Sequence, residues 1–195
     1  ALPIFAIADA SVVGNLPSLS SVDADAVRRA VRYLYDLGHR QIARVGGPES
    51  LAHSYIRDSA FADVASELGM RYRCLHTDYT PETGREATKR LLAFSEHPTA
   101  IIYDNDVMAL AGLGVAASQG IKVPEEISIM SWDDSLMCTA AYPNLTAMGR
   151  DVVDTGKQAA GLLLKLIGGE RVGHLMEGPY ELRARASTGP APAAE

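Results

Sequence analysis

Polar side chains follow the predicted strands of this 195-residue sequence at several points. Asn105 comes just after an apolar segment, Tyr79 follows another, and Asp133 follows a third, while Ser54 and Arg57 begin a helical pattern. In α/β proteins such positions lie at the carboxyl ends of parallel strands, where ligands bind. Convergent polar groups beside an apolar cleft predict a small-molecule site. The candidates are Asp9, Ser54, Arg57, Tyr79, Asn105, Asp133 and Arg150, with Asp106 and Asp134 beside them.

Two of these residues allow a structural interpretation as readily as a binding one. The guanidinium of Arg57 can donate in a fork to two adjacent hydroxyls or a carboxylate, or it can be a solvated or salt-bridged side chain. Tyr79 offers a flat apolar face and a hydroxyl, so it can stack on a sugar ring or pack within the protein. The residue types alone leave both questions open.

The sequence lacks the signatures of the common hydrolases and nucleotide-binding enzymes. Neither a Gly-x-Ser-x-Gly elbow nor a phosphate-binding Gly-rich loop occurs. Asp133 and Asp134 are adjacent, so at a strand end they point in opposite directions and are poorly placed to share one ion. Cys74 and Cys138 are predicted to be reduced thiols, and the histidines show no metal-ligand spacing. We therefore predict no catalytic residue, no metal and no cofactor.

The charge balance argues against direct contact between this chain and nucleic acid. Lys and Arg number 18 against 24 Asp and Glu, which gives a formal charge of −6, whereas nucleic-acid-binding domains are usually basic. No apolar run is long enough to cross a membrane and no leader is visible, which predicts a cytoplasmic protein without membrane contact. The missing initial Met and the apolar opening predict a piece of a longer protein.

Helical and strand-like patterns alternate along the chain. Thr80 followed by Pro81 is a helix-start signature, since the hydroxyl caps the first turn and Pro suits the first helical position. The alternation predicts an α/β protein with a largely parallel sheet. The predicted helices cover residues 23–37, 54–68, 81–94, 106–118 and 152–167. The predicted strands cover residues 2–8, 42–45, 72–76, 100–103, 127–130, 145–148 and 180–186.

Eight ordered motifs resemble those of the lactose-repressor (LacI/GalR) family over nearly the whole chain. They are Leu37–Pro48 (LGHRQIARVGGP), Ser54–Phe61 (SYIRDSAF), Asp78–Gly84 (DYTPETG), Pro98–Ile101 (PTAI), Asn105–Ala109 (NDVMA), Gly120–Ser128 (GIKVPEEIS), Trp132–Asp134 (WDD) and Pro143–Thr146 (PNLT). Any one of these alone is weak, but the ordered set at family spacing is specific. The family's usual glycine before the aromatic of the second motif is Ala60 here.

The resemblance implies the sensor part of a transcription regulator. It implies a Rossmann-like lobe of the periplasmic-binding-protein-like type, an incomplete second lobe, a homodimer, and operator binding only through a missing N-terminal helix-turn-helix domain. Effector binding in the cleft between the lobes would close them and alter DNA binding. The family's ligand contacts fall on Asp9, Arg57, Tyr79, Asn105, Asp133 and Arg150, a mixture of donors and acceptors that suits a sugar. Purine-type ligands also occur in the family.

The resemblance also implies how the chain is divided. Residues 22–140 and 171–188 would form the effector-binding lobe, residues 1–21 and 141–170 a remnant of the other lobe and the hinge, and residues 189–195 a disordered tail. Because the helix 152–167 carries an apolar stripe with little sheet to cover it, we expect this remnant to be disordered, rearranged or buried against another copy.

Three further questions stay open in the sequence. Arg150 stands where many family members carry Gln, and it either favours an acidic or phosphorylated ligand or pairs with Asp151 or Asp9. The small residues of helix 106–118 (Ala111, Gly112 and Ser118), with residues 136–142, serve either dimer contact or packing within one chain. The alternative function is a solute-binding protein for sugar transport, followed by an enzyme that uses Asp133 and Arg57 on a sugar.

Overall fold

The computed structural model describes residues 4–8 and 13–193, and the chain divides into two compact units. The smaller unit comprises Ala1–Asp23 and Arg150–Tyr180, and the larger unit comprises Ala24–Gly149 and Glu181–Glu195. No helix in the described ranges has the length and apolar character that crossing a bilayer requires.

A six-stranded sheet forms the centre of the larger unit. Its strands are β3 (Gln41–Gly46), β4 (Arg71–His76), β5 (Ala100–Tyr103), β6 (Ser128–Trp132), β7 (Thr146–Gly149) and β9 (Glu181–Arg183), in the order β4-β3-β5-β6-β7-β9. The first five of these run parallel to one another, and β9 pairs with β7 in the antiparallel direction. The predicted α/β class with a largely parallel sheet is confirmed.

Helices connect the parallel strands of this unit. They are α1 (Asp23–Asp36), α2 (Ala52–Glu67), α3 (Pro81–Leu92), α4 (Asp106–Ser118) and the short α5 (Leu136–Ala140). The predicted helix start at Thr80–Pro81 is confirmed for α3. The Thr80 hydroxyl accepts a hydrogen bond from the backbone N–H of Thr83, and Pro81 occupies the first helical position.

One hydrophobic core cluster of the larger unit lies between the sheet and the packed pair α3 and α4. Its centre holds Ile101, Tyr103 and Met108, each with no exposed surface. The Tyr103 hydroxyl lies 2.7 Å from that of Thr88, which gives this buried phenol a hydrogen-bond partner. Burial raises the pKa of Tyr103, so the ring stays neutral.

The smaller unit contains a three-stranded parallel sheet and one long helix in its described part. The strands are β1 (Ala6–Ile7), β2 (Ser18–Ser20) and β8 (His174–Met176), in the order β1-β2-β8. The helix α6 (Val152–Ile167) begins at Asp151, whose carboxylate accepts from the backbone N–H groups of Val153 and Asp154. No residue of α6 is buried.

The structure places the unit boundaries differently from the sequence-based division. Residues 146–149 form β7, which pairs with β6 and therefore belongs to the larger unit instead of the remnant. Residues 174–176 form β8, which pairs with β2 and therefore belongs to the smaller unit. Both differences arise from long-range strand pairing, which the local sequence pattern does not reveal.

The sequence predicts a disordered tail over residues 189–195, but the described part of this segment, which extends to residue 193, is tied to the larger unit by hydrogen bonds. The backbone N–H of Gly189 donates to the Ser128 hydroxyl at 3.1 Å, and that of Ala191 donates to the Leu37 carbonyl at 2.8 Å. These backbone hydrogen bonds tie the segment to the larger unit despite its Pro- and Ala-rich composition.

Sequence patterns missed β2, which lies between the predicted strand 2–8 and the predicted helix 23–37. Its Ser18–Ser20 segment is fully buried, although two of its three residues are polar. The Ser18 hydroxyl lies 2.9 Å from His174 Nδ1, and the Ser20 hydroxyl donates to the Ala8 carbonyl at 2.9 Å. Because both hydroxyls find partners, serine can be buried here without the cost of an unsatisfied polar group.

Candidate ligand-binding site of the larger unit

The carboxyl ends of four neighbouring strands bring most of the predicted site residues to one edge of the larger unit. Ser54 and Arg57 lie in the first turns of α2, which follows β3, and Tyr79 lies between β4 and α3. Asn105 follows β5, and Asp133 follows β6. Since β4, β3, β5 and β6 are adjacent and parallel, these residues share one edge of the sheet.

Tyr79 is held rigidly at this edge. Its φ of 69° is in the left-handed region, where a residue other than glycine is uncommon. The amide of Asn105 donates to the Tyr79 carbonyl at 3.1 Å, and His53 Nε2 lies 2.7 Å from the Tyr79 hydroxyl. A Cβ on Gly47 would overlap the Tyr79 ring, so only glycine at that position leaves room for it.

Asn105 serves the local fold as well as facing the candidate site. Its carboxamide oxygen accepts from the backbone N–H of Met108 at 2.8 Å and so caps α4, while its NH2 group donates to Tyr79. An amide has two donors and two acceptor lone pairs. The cap and the Tyr79 contact therefore use only half of its capacity.

Ser54 is fully buried, and its hydroxyl oxygen has no hydrogen bond of normal geometry in the structure. It lies close enough to Tyr79 to affect the phenol: burial raises the Tyr79 pKa, and the Ser54 hydroxyl offsets part of that rise. A buried hydroxyl without a well-formed bond is costly, so this position would gain from a polar group supplied by a ligand or a water.

Arg57 lies beneath the surface, where its guanidinium contacts an aromatic ring and a carboxylate. Its Cζ lies 4.4 Å from the centre of the Trp132 ring, and its Nη1 lies 3.4 Å from Asp104 Oδ2. The side chain is only 9% exposed, so of the two structural alternatives Arg57 is salt-bridged and not solvated. Stacking on an aromatic face and pairing with one carboxylate fix the guanidinium plane.

Asp133 and Asp134 diverge, as the sequence predicts for adjacent residues at a strand end. Asp133 is exposed and has a φ of 65°, in the left-handed region. The Asp134 side chain is 5% exposed and pairs with Arg183 at 2.6 Å and Arg185 at 2.8 Å. Burial alone would raise the pKa of Asp134, but the hydrogen bonds and charges of both arginines outweigh it and lower the pKa. Asp134 is therefore a structural residue.

Of the remaining two candidates, one belongs to the smaller unit and the other is outside the described residues. Arg150 belongs to the smaller unit, where its Nη1 forms an ion pair with Glu177 and its guanidinium lies 5.6 Å from the centre of the Tyr180 ring. The Asp151 carboxylate, one of the two partners considered for Arg150, instead accepts from backbone N–H groups of α6. Asp9 lies outside the described residues.

Sequence reasoning missed three side chains of this region: His53, Asp104 and Arg44. Asp104 precedes Asn105 and reads as an ordinary strand-end residue, yet its side chain is fully buried between Arg44 and Arg57. Arg44 lies in the middle of β3 and is 1% exposed. A charged residue inside an otherwise apolar strand is the one signal that could have indicated a buried ion pair.

Comparison with known proteins agrees with this geometry. A family model described as a periplasmic binding protein-like domain matches residues 31–188. A solved LacI family transcriptional regulator from Bifidobacterium animalis subsp. lactis is 59% identical, with a TM-score of 0.94 over 96% of this chain and 69% of that one. The chain belongs to the LacI family. The expected family and its periplasmic-binding-protein-like fold are thus confirmed.

Two other members of the LacI family show how widely the similarity extends. The transcriptional repressor CytR of Escherichia coli K12 is 33% identical over 180 residues, which is 89% of this chain and 52% of the repressor. A dimeric Lac repressor structure is 28% identical, with a TM-score of 0.84 over 90% of this chain and 65% of that one. The chain spans about half the length of the curated relatives it matches.

Proposed function

We propose that this LacI-family chain is the effector-sensing part of a bacterial transcriptional regulator. A small molecule, by its chemistry a sugar, binds at the edge formed by Arg57, Tyr79, Asn105 and Asp133, with the buried Ser54 next to Tyr79. Binding alters the affinity for operator DNA. The observation that carries this proposal is the rigid arrangement of Tyr79 between Gly47, His53 and Asn105.

The chemistry of the edge favours a ligand with several hydroxyl groups. The Asp133 carboxylate only accepts hydrogen bonds, the Arg57 guanidinium only donates them, and the Asn105 amide does both. Tyr79 adds an aromatic face that is fixed before the ligand arrives, so little conformational entropy is lost on binding. Such a mixture of donors and acceptors beside a rigid ring complements the alternating hydroxyls and apolar face of a sugar.

The regulatory role rests on family membership, since CytR is by name a helix-turn-helix repressor. DNA contact would come from a helix-turn-helix domain outside this acidic chain, and the regulator would act in the cytoplasm, where its operator is. The effector must bind one state of the regulator more tightly than the other, because only differential affinity shifts an equilibrium. We propose Arg150 and Asp9 as additional effector contacts, and we propose that the effector is bound and released unchanged.

We also propose that the regulator is a homodimer, as the Lac repressor structure is by name. The candidate contact is the segment 136–142, where Leu136 is 83% exposed and Tyr142 is 98% exposed. Exposed large apolar side chains clustered in one short segment are typical of a protein interface. Gly112 and Ala111 are buried within the chain, so only the exposed face of α4 is available for this contact.

Thermal unfolding against sugars, sugar phosphates, nucleosides and nucleobases tests the effector site. A ligand that binds only the folded protein at a hundredfold excess over its Kd stabilises it by about 2.7 kcal/mol. We expect neutral sugars to raise the melting temperature. If only nucleosides or phosphorylated sugars raise the melting temperature, the site is supported but its ligand belongs to that class instead. If no compound raises the melting temperature, the sugar-sensor proposal is contradicted.

Asp133→Asn is the most specific variant for this test. Asn tolerates the left-handed φ of this position as Asp does, so the change removes the charge and leaves the backbone unstrained. We expect binding to weaken by about 1.5–3 kcal/mol, the usual worth of a hydrogen bond to a charged group. Asp63→Asn, on the exposed surface of α2, is the matched control and should bind normally. NMR spectra of the bound compound after prolonged incubation would reveal turnover and thereby support the enzyme alternative.

A further inference from the structure

A chain of charged side chains leads from the surface of the larger unit to Arg57. At its outer end His76 Nδ1 lies 2.9 Å from Glu49 Oε1, and His76 Nε2 lies 2.9 Å from Asp58 Oδ2. The other oxygen of Asp58 accepts from Arg44 Nη1. Each contact joins a basic side chain to a carboxylate.

The inner half of the chain is buried. Arg44 Nε donates to Asp104 Oδ1 at 2.9 Å and Arg44 Nη2 donates to Asp104 Oδ2 at 2.5 Å, a two-pronged pair in which both side chains are almost without exposed surface. Asp104 Oδ2 in turn lies 3.4 Å from Arg57 Nη1. Asp104 is therefore shared between two guanidinium groups, and Arg44 between two carboxylates.

The proton content of His76 decides whether the outer contacts attract. A carboxylate carries no proton at neutral pH, so each 2.9 Å contact is a hydrogen bond only when that ring nitrogen carries one. Only the imidazolium form donates from both nitrogens. A neutral ring would place a lone pair against one carboxylate, and the network would lose the positive charge that balances Glu49 and part of Asp58.

We propose that His76 and Asp58 are positioning residues for Arg57 and that the charge of His76 is transmitted to it through Arg44 and Asp104. When His76 loses its proton, Asp58 draws more strongly on Arg44, Asp104 loses part of its pairing with Arg44, and Asp104 then draws more strongly on Arg57. The guanidinium of Arg57 shifts toward Asp104 and donates less readily to a ligand. The consequence for a ligand rests on the proposed function, whereas the relay itself does not.

The charged groups in contact with His76, or with its partner Asp58, come from three neighbouring segments. Glu49 comes from the segment after β3, Asp58 from α2 and Arg44 from β3, which pairs with β4. On β4 itself, Cys74 lies near Asp58 and Arg44, and burial raises its pKa to about 12, so the thiol stays neutral. His76 is thus the one member of this cluster whose side-chain type ordinarily changes charge between pH 5 and 8.

Trp132 allows the relay to be tested without any ligand. It is the only tryptophan of the sequence, and the Arg57 guanidinium lies over its ring. Movement of that cation should change the indole emission, because the guanidinium is the charge stacked on it. We expect the indole emission to change in a single sigmoidal step as pH is varied, accompanied by a shift of the Arg57 Nε–Hε resonance in NMR spectra.

Matched variants decide whether His76 is the source. We expect His76→Gln and Asp58→Asn to abolish both changes, while His97→Gln, at an exposed histidine, and Asp63→Asn, on the same helix as Asp58, retain them. Urea unfolding at pH 7 verifies that each variant is folded. A transition that persists in His76→Gln, or that disappears in His53→Gln, would overturn the proposal, as would wild-type spectra that do not change with pH.

The ligand screen and the relay can fail independently of each other. If a compound binds with an affinity that depends on Asp133 but the Trp132 emission does not change with pH, the effector site is supported and the relay is contradicted. If the pH-dependent change in Trp132 emission disappears in His76→Gln but no compound binds, the relay is supported and the sugar-sensor proposal is contradicted. Where both succeed, the affinity of the identified compound should fall as pH rises, and by linkage the compound should favour protonated His76 to the same extent.

Discussion

His39 shows how a residue of a family motif can serve the fold instead of the ligand. It is fully buried, with Nδ1 2.8 Å from the Thr99 hydroxyl and Nε2 3.1 Å from the Ser128 hydroxyl and 3.2 Å from the Gly189 carbonyl. It therefore joins the turn after α1 to β6 and to the end of the chain. The motif Leu37–Pro48 identifies the family, but its histidine lies away from the candidate site.

The stability of the fold should depend on pH through His39. Burial lowers the pKa of His39, and the hydrogen bond to Gly189 offsets part of this effect. Because the unfolded chain then binds the proton more readily than the folded one, His39 stabilises the fold fully above about pH 6.5 and loses that contribution as pH falls below it. We expect the free energy of unfolding in urea to decrease below pH 6.5 by up to about 1.4 kcal/mol per pH unit from this group.

Two histidine-to-glutamine substitutions test whether His39 causes this dependence of stability on pH. His39→Gln should be less stable at every pH, and the part of the pH dependence that arises from His39 should be absent. His97→Gln, at an exposed position, should retain the wild-type slope. An unchanged slope in His39→Gln would show that another group causes the acid sensitivity.

At the scale of the element, α4 contains two glycines with opposite roles. A Cβ on Gly112 would overlap the hydroxyl of Tyr103, whereas a Cβ on Gly114 would meet nothing within 4 Å. Gly112 is buried and lets α4 pack closely on β5, while Gly114 is exposed. The sequence left Gly112 to either dimer contact or packing within one chain, and the structure shows it packed against Tyr103 within the chain.

Alanine substitution in α4 should separate these two roles. Gly112→Ala forces Tyr103 or the helix to move, and overpacking of this kind costs about 1–3 kcal/mol. Gly114→Ala should stabilise the protein by up to about 1 kcal/mol, because glycine weakens an exposed helix interior. Urea unfolding of both variants measures the difference. Equal effects of the two substitutions would contradict the packing role of Gly112.

At the scale of the whole molecule, two apolar surfaces are candidates for contact between copies. One is the segment 136–142, and the other is α6, where Val152, Leu164 and Ile167 are each more than 60% exposed. The sequence led us to expect α6 disordered, rearranged or covered by another copy. The structure shows a capped helix with no buried residue, and its burial against another copy stays a prediction.

Charged substitutions on each surface distinguish the two possibilities. If the homodimer uses the segment 136–142, Leu136→Glu should shift the mass in analytical ultracentrifugation from dimer to monomer, because a carboxylate cannot be buried there without a partner. Leu164→Glu on α6 should leave the dimer intact. The opposite pattern would move the interface to α6, and a wild-type monomer would contradict the proposed homodimer.

The sequence by itself determined the fold class, the family and most of the elements. Helical and strand periodicity, the Thr80–Pro81 start of α3 and the ordered motifs are local signals, because each depends on neighbours within a few residues. The same signals placed Arg57, Tyr79, Asn105 and Asp133 at the carboxyl ends of strands. Parallel pairing of those strands then brought them to one edge.

Only the tertiary structure decided what those side chains contact. Asp104 reaches Arg44 across 60 positions of the sequence and Asp58 reaches His76 across 18, so the local pattern does not name the partner in either pair. The burial of β2 and the assignment of β7 and β8 to different units likewise depend on pairing between distant strands. The physical reason is the same in each case: local sequence fixes backbone preference, whereas the partners of a buried polar group are set by the packing of distant segments.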